Sequence, residues 1–240
     1  MHKLALSAWF RAGLRHLLPC ACALCGAVQG DLVCDGCTGD LASHLHRRRC
    51  IQCAIALDAR RVARHCRACL AGAPDFDATV VIADYAWPLD HLVTGLKFRA
   101  QLPLADWLAD QLGQALAAAP GDLPDLLLPV PLSPARLRSR GYNQAWEVAR
   151  RLAHRLDIPA DAGALHRVRD NVAQATLDRA ERLANLHGAF VVAEPVRIAG
   201  RHIGIVDDVM TTGTTLAEIA TQLKRAGATR ITNVVALRTP

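Results

Sequence analysis

A short apolar run, two acids and a loop of threonines around one glycine limit what the end of this chain can become. The run reads Arg201-His-Ile-Gly-Ile-Val-Asp-Asp-Val-Met-Thr-Thr-Gly-Thr-Thr-Leu216. Ile203, Ile205 and Val206 predict a buried parallel strand, with Asp207 and Asp208 where that strand ends. Thr211, Thr212, Gly213, Thr214 and Thr215 predict a loop directly after it. Leu216, Ile219, Ala220 and Leu223, closed by Gly227, predict the helix into which the loop leads. Such a loop aims backbone N–H groups and the positive end of a helix at one point, which suits a phosphate. Two carboxylates beside a phosphate repel it unless they accept hydrogen bonds from sugar hydroxyls or act with a hard cation such as Mg2+. A phosphorylated sugar meets both conditions. The plainer reading is that the acids cap a turn and the threonines start a helix. No Lys follows the glycine and the chain has no G-x-G-x-x-G, so this is neither a P-loop nor a dinucleotide fingerprint.

On these residues, Ile203 to Thr215 resembles the phosphoribosyl-pyrophosphate (PRPP) motif of type I phosphoribosyltransferases. The resemblance implies that Asp207 and Asp208 bind the ribose 2- and 3-hydroxyls. It places the 5-phosphate on Thr211, Thr212, Gly213, Thr214 and Thr215.

At the other end, all nine cysteines precede residue 70, and eight form C-x-x-C pairs: Cys22/Cys25, Cys34/Cys37, Cys50/Cys53 and Cys66/Cys69. Two such pairs make one tetrahedral four-thiolate site, so four pairs imply two structural Zn2+ ions. Pairing in order, Cys22/Cys25 with Cys34/Cys37 and Cys50/Cys53 with Cys66/Cys69, closes the shortest loops, and an interleaved arrangement is the alternative. Cys20 is left over. Disulfides fit poorly with a large cysteine-free remainder and no convincing export signal, and spacing alone leaves an iron–sulfur cluster open. Arg47, Arg48, Arg49, Arg60, Arg61 and Arg64 surround these pairs, as a solvated surface or as a nucleic-acid contact. The formal charge of +6 counts the cysteines as neutral. With two zinc-tetrathiolate sites it falls to roughly +2, so global charge says little about partners.

The 240 residues, 52% of them hydrophobic, suffice for one full domain and a smaller one. No apolar run is long enough to span a bilayer. Arg11, Arg15 and His16 interrupt any signal-peptide core, so residues 1–19 predict an amphipathic helix with Leu4, Ala8, Leu14 and Leu18 on one side; an interfacial membrane role is its second reading. The expected organisation is this helix, a double zinc ribbon over 20–70 and a phosphoribosyltransferase-like domain over 75–240, in a cytoplasmic protein. Thr79–Tyr85 and Leu126–Val130 predict strands, and Pro88–Phe98 and Leu102–Ala118 predict helices. With Ile203–Val206 and Ile231–Leu237 as later strands, the fold class is α/β, a mainly parallel sheet flanked by helices with its site at the strands' carboxyl ends.

A second stretch, Pro129 to Ala145, leaves a strand sharply at Val130-Pro131 and predicts a basic loop over Ser133–Gly141, with Arg136, Arg138 and Arg140, before a helix near Tyr142. Such a loop on the site's edge suits pyrophosphate; arginines on a solvated turn are the alternative. It is similar to the pyrophosphate loop of the amidophosphoribosyltransferases. From His166 to Phe190 the chain is rich in Arg, Gln and Asn, including Arg167, Arg169, Gln174, Arg182 and Asn185. It reads equally as a flap closing over substrate or as an ordinary surface helix with a polar lead-in.

Taken together, the cysteine pairs, Lys97-Phe-Arg99, the Pro-Val-Pro loop with Arg-Gly-Tyr-Asn-Gln, the Arg/Gln-rich stretch and the PRPP motif resemble the ComF family over nearly all of the chain. The resemblance implies a phosphoribosyltransferase-like domain linked to natural competence. Two functions follow as expectations. One is Mg2+-dependent transfer of ribose 5-phosphate from PRPP to a nitrogen acceptor, with Asp207 and Asp208 at the ribose, the threonine loop on the 5-phosphate, and Ser133, Arg136, Arg138, Arg140, Lys97, Arg167 and Gln174 toward the substrate. The other is a non-catalytic protein that binds single-stranded DNA or competence proteins. No acceptor base stands out; His154, His166, His187 and His202 are candidates only because histidine titrates near neutrality. An oligomer is compatible with either.

Overall fold

The structure is a computed structural model that describes residues 20–45, 47–58, 62–169 and 188–240. The expected N-terminal helix, Arg60, Arg61, Gln174, Arg182, Asn185 and His187 lie outside the described residues.

The cysteine-rich part contains β1 (Cys20–Ala21), β2 (Val28–Gln29), α1 (Asp35–Leu45) and α2 (Arg67–Ala71). There follow β3 (Ala78–Asp84), α3 (Asp90–Phe98), α4 (Pro103–Ala118), β4 (Leu126–Pro129), α5 (Pro134–Arg140) and α6 (Gln144–Leu156). The chain ends with β5 (Leu165–Arg167), β6 (Phe190–Val192), β7 (His202–Met210), α7 (Thr214–Arg225) and β8 (Arg230–Arg238). The main sheet has four strands in the order β3-β8-β7-β4, every neighbouring pair parallel. β5 and β6 form a separate antiparallel hairpin.

The middles of the central strands are mainly apolar because both faces of the sheet are covered, as parallel sheets require. Successive side chains alternate between faces. Val206 and Val234 pack with Leu92, Leu96, Leu108, Leu112 and Leu152 from α3, α4 and α6. Ile203, Ile205 and Val235 pack with Leu216, Ile219 and Leu223 from α7 and with Leu165 and Phe190 from the hairpin. The helices form where an apolar stripe meets a start signal: α4 begins with Pro103 at its first turn and buries Leu104, Leu108, Leu112 and Leu116 at four-residue spacing. Arg151 bridges from α6 to Asp106 at 3.0 Å across the α4–α6 contact.

The cysteine-rich part is built into these layers. Cys22, Val33 and Leu41 belong to the α3–α4–α6 cluster, whereas Ala54 belongs to the α7 cluster with Phe76 and Met210. The two cysteine groups thus sit against opposite faces of the sheet. Arg49 joins the second group to the end of β3, donating to Asp84 Oδ1 at 2.6 Å and to the Ala54 carbonyl at 3.1 Å.

Two local expectations change. The strand expected to end at the acids continues through Met210, because β8 extends beside it with Asp207 opposite Val235 and Met210 opposite Arg238. The expected Ser133–Gly141 loop is the short helix α5. Ser133 Oγ caps it by accepting from the Arg136 N–H at 3.3 Å, Pro134 supplies a pre-set first turn, and Gly141 ends it at φ +82.

Candidate functional site

β7 and β4 are adjacent, and their carboxyl ends deliver both motif segments to one edge of the sheet, where open α/β folds place ligands. After Met210 the chain turns through the threonine loop into α7. Gly213 adopts φ +80, so the backbone calls for glycine, and the end of the flexible Met210 side chain, 2.5 Å from where a Cβ would sit, would have to move aside. The Thr212 and Thr214 hydroxyls are 2.7 Å apart, and Asp207 joins residues 209–216 in lining a small cup of about 40 Å3. The cup lies at the N-terminus of α7, where the sequence leads one to expect an anion site.

Being adjacent on one strand, the two acids face opposite layers. Asp207, with the parity of Ile203 and Ile205, lines the cup. Asp208, with the parity of Val206, turns toward α3 and is 3% exposed. There its Oδ2 meets Lys97 Nζ at 3.0 Å, an ion pair in which that oxygen accepts no well-aligned hydrogen bond. The Asp208 N–H donates to Asp207 Oδ1 at 2.8 Å. Burial and the neighbouring Asp208 charge push the Asp207 carboxyl well above the ordinary carboxylate range, with the Asp208 N–H and Lys97 pulling the other way. A pair that resists holding two negative charges suits a partner with hydroxyl donors or a cation.

Lys97 comes from the last turn of α3, and the Arg140–Gln144 segment closes on the same turn. Arg140 stacks its guanidinium 5.4 Å from the centre of the Phe98 ring and donates to Gln144 Oε1. The Tyr142 hydroxyl donates to the Leu96 carbonyl. Asn143 caps α6 through Oδ1, and its Nδ2 donates to the Val130 carbonyl at 3.0 Å, tying that helix start to the end of β4. Arg140 thus packs on the residue that follows Lys97, and Ser133 is buried as a helix cap. Arg136 and Arg138 stand exposed on α5. Arg167 lies on the hairpin, its guanidinium 5.6 Å from the Phe190 ring centre.

Sequence reasoning did not anticipate a cavity of about 550 Å3 whose walls include Pro131, Leu132, Tyr142, Trp146, Leu165 and His166, where the exit of β4 meets α6 and β5. Nor did it single out Arg238, whose signal was a charged residue directly after the apolar run Val234 to Leu237. His202, a candidate base, sits at the amino end of β7, the far edge from the loop. It is buried with Nε2 2.8 Å from Thr232 Oγ1, and burial holds its pKa below the usual histidine value.

The sulfur atoms of Cys22, Cys25, Cys34 and Cys37 lie within 4.8 Å of one another, as do those of Cys50, Cys53, Cys66 and Cys69. This is the pairing in chain order. Backbone N–H groups point at sulfur in both: Cys34 to Cys22 at 3.4 Å and Cys66 to Cys50 at 3.3 Å. Burial opposes ionisation of Cys22, but N–H donors from Cys25, Cys34 and Leu24 bring its pKa down to about 6. Against burial, the Cys69 N–H and the neighbouring thiols of Cys53, Cys69 and Cys50 bring Cys66 down to about 7. The Cys34 sulfur and burial push Cys37 up to about 12, and burial pushes Cys53 up to about 11 and Cys69 higher still. One thiol in each group ionises readily and others resist, which a dication at the centre would resolve. Both groups fit zinc. Cys20 stays apart, its thiol 3.3 Å from the Asp31 carbonyl.

Residues 138–240 match the family described as "Phosphoribosyl transferase domain". Competence protein F of Haemophilus influenzae is 34% identical over 208 residues, spanning 83% of this chain and 87% of that protein. The DNA utilization protein YhgH of Salmonella typhimurium is 39% identical over 186 residues, 76% of this chain and 80% of its own, and that of Escherichia coli K12 is 36% identical over 203 residues, 83% and 87%. Among solved structures, a glutamine PRPP amidotransferase from B. subtilis is similar at 23% identity and a TM-score of 0.37, over 54% of this chain and 26% of that one. A purine phosphoribosyltransferase from Pyrococcus horikoshii is similar at 20% identity and a TM-score of 0.29, over 65% and 74%.

Proposed function

This chain belongs to the family of competence protein F and the DNA utilization protein YhgH, and on that premise we propose that it serves DNA uptake or use through a sugar-phosphate site at the end of β7. The ligand is PRPP or a closely related phosphorylated sugar, taken with Mg2+. One observation carries this reading: an acid pair and a threonine cup share the carboxyl end of a central parallel strand, in a region that matches the phosphoribosyl transferase domain. Backbone N–H groups of residues 211–215 and the start of α7 hold the 5-phosphate. Asp207, on the cup side, accepts from the ribose hydroxyls, while Asp208 stays paired with Lys97. The Arg140 guanidinium, fixed over Phe98, lies beside this turn and offsets pyrophosphate charge together with Arg136 and Arg138. A Mg2+ ion taken up with the ligand would neutralise pyrophosphate further.

In transfer, the bond between ribose C1 and the pyrophosphate oxygen breaks and a bond from C1 to an acceptor nitrogen forms, with the nitrogen's proton released. The carboxylates favour positive charge developing on the sugar. The two four-cysteine groups take structural zinc. Calorimetric titration of the zinc-loaded protein with PRPP and Mg2+, beside an Asp207→Asn/Asp208→Asn double variant, tests the site. Binding by the wild type that the variant loses is the expected result; no binding by folded wild type refutes the reading.

A second reading, binding of single-stranded DNA without turnover, draws on Trp87 and Phe98, 77% and 73% exposed, with Arg140 against Phe98. Filter binding across a salt series separates the two. Affinity that ignores salt refutes a phosphate-backbone contact.

A further inference from the structure

The side chain that ties the threonine loop to the cysteine-rich part belongs to neither motif. Arg238 ends β8 opposite Met210 and is 7% exposed. Its Nε donates to the Cys53 carbonyl at 3.0 Å. Its Nη1 donates to the Met210 carbonyl at 3.3 Å and to the carbonyls of Thr211 and Thr239. One guanidinium thus grips the backbone of a cysteine in the second four-sulfur group and the first peptides of the loop. Arginine suits this because its donors are fixed in one plane, so anchoring one edge fixes the direction of the other.

The surroundings make the same connection. Ala54, next to Cys53, is 1% exposed and shares a core cluster with Phe76 and Met210. Gln52, inside the Cys50/Cys53 knuckle, donates to the carbonyls of Pro74 and Phe76 at 3.1 and 3.0 Å. Phe76 Cζ would be 3.9 Å from a Cβ at Gly213. In a planar trans peptide the carbonyl and the following N–H point in opposite directions. Holding the Met210 and Thr211 carbonyls on the Arg238 side therefore turns the N–H groups of Thr211 and Thr212 away from it.

We infer that Arg238 is a positioning residue that makes the anion-binding shape of the threonine loop depend on closure of the Cys50, Cys53, Cys66, Cys69 group around its metal. The loop's ligand rests on the sugar-phosphate reading above; the joint itself does not. A metal held by the four sulfurs fixes the Cys53 carbonyl, which fixes the guanidinium, which fixes the loop peptides. Opening the group frees the anchor and lets the loop carbonyls turn. Among the described residues, the first cysteine group, packed on the other face, has no such path through Arg238.

The test uses the full zinc-loaded chain and hydrogen–deuterium exchange over residues 209–216. Arg238→Met should speed loop exchange at least tenfold and weaken PRPP binding at least tenfold, and Arg238→Lys should fall between it and wild type. Cys69→Ser, which opens the second group, should reproduce the faster loop exchange, whereas Cys37→Ser in the first group should leave it at the wild-type rate. Wild-type loop exchange in Cys69→Ser, or equal acceleration by Cys37→Ser, overturns the inference. Should Arg238→Met fail to fold, Arg238→Lys and the two cysteine variants decide it. Wild type that binds no PRPP removes the sugar-phosphate reading, and the exchange rates still judge the joint.

Discussion

Replacing Lys97 with Met removes the cation beside the acid pair and keeps most of the apolar stem. At 3.0 Å from Asp208 Oδ2, the ammonium contributes a gross attraction of ~5.5 kcal/mol at an effective dielectric of about 20. The Asp208 side chain is 4% exposed but that of Lys97 is 22% exposed, so water already screens part of this attraction. Breaking a fully buried pair costs about 3–5 kcal/mol, and discounting for the wet lysine leaves about 2–3 kcal/mol at pH 7.5. The deficit should depend on pH. Lys97 pulls the raised Asp207 pKa down, so without it Asp207 holds its proton still more tightly folded than unfolded, and protonation favours the folded state. The stability that it confers is present at low pH and lost as pH rises through the folded-state pKa. Urea unfolding of Lys97→Met should therefore show its largest loss at pH 7.5 and a smaller one at pH 5, and adding Asp208→Asn should recover most of it. A variant within about 0.5 kcal/mol of wild type at pH 7.5, or a double variant weaker than Lys97→Met alone, refutes the reasoning.

Asp207→Asn should stabilise the ligand-free protein while abolishing PRPP binding, because burial and Asp208 hold the Asp207 pKa above its unfolded value and make its charge a cost at neutral pH. A gain of about 1 kcal/mol reads as ~2–4 °C in Tm for a chain of this size. Gly213→Ala should cost about 1–3 kcal/mol by forcing a side chain into φ +80 against Met210, with PRPP affinity falling more steeply than thermal stability. His202, with its pKa lowered by burial, binds a proton more readily unfolded. The His202 contribution to stability should thus decline as pH falls below about 6.5, so between pH 7 and 5 His202→Gln should lose less stability, or gain more, than wild type in urea unfolding.

What the sequence discloses is what is encoded locally. The strand, acids, loop and helix of residues 203–223 are contiguous, and each leaves a pattern that neighbours alone can write. The cysteine pairs assort in chain order because short loops close at least entropic cost. The extension of β7 to Met210 is not local: it depends on β8 lying beside it, and β8 is read only as an apolar run ending at Leu237. The α5 helix hides because Ser133 and Pro134 signal a loop exit as well as a cap. Lys97 is legible as a basic residue near the site, but its ion pair with Asp208 requires α3 to cross the end of β7.

The two adjacent acids also explain why one strand end can organise so much of the molecule. Neighbouring residues on a strand must face opposite layers, so Asp207 serves the loop that opens α7 while Asp208 reaches the last turn of α3. A single acid would engage one layer only. Arg238 adds the third direction on the neighbouring strand, toward the second cysteine group. With Asp208 and Arg238 both buried and held by contacts from different parts of the chain, the loop's geometry is set by the assembled fold. A fragment carrying residues 201–227 alone would keep the motif and lose the contacts that shape its loop.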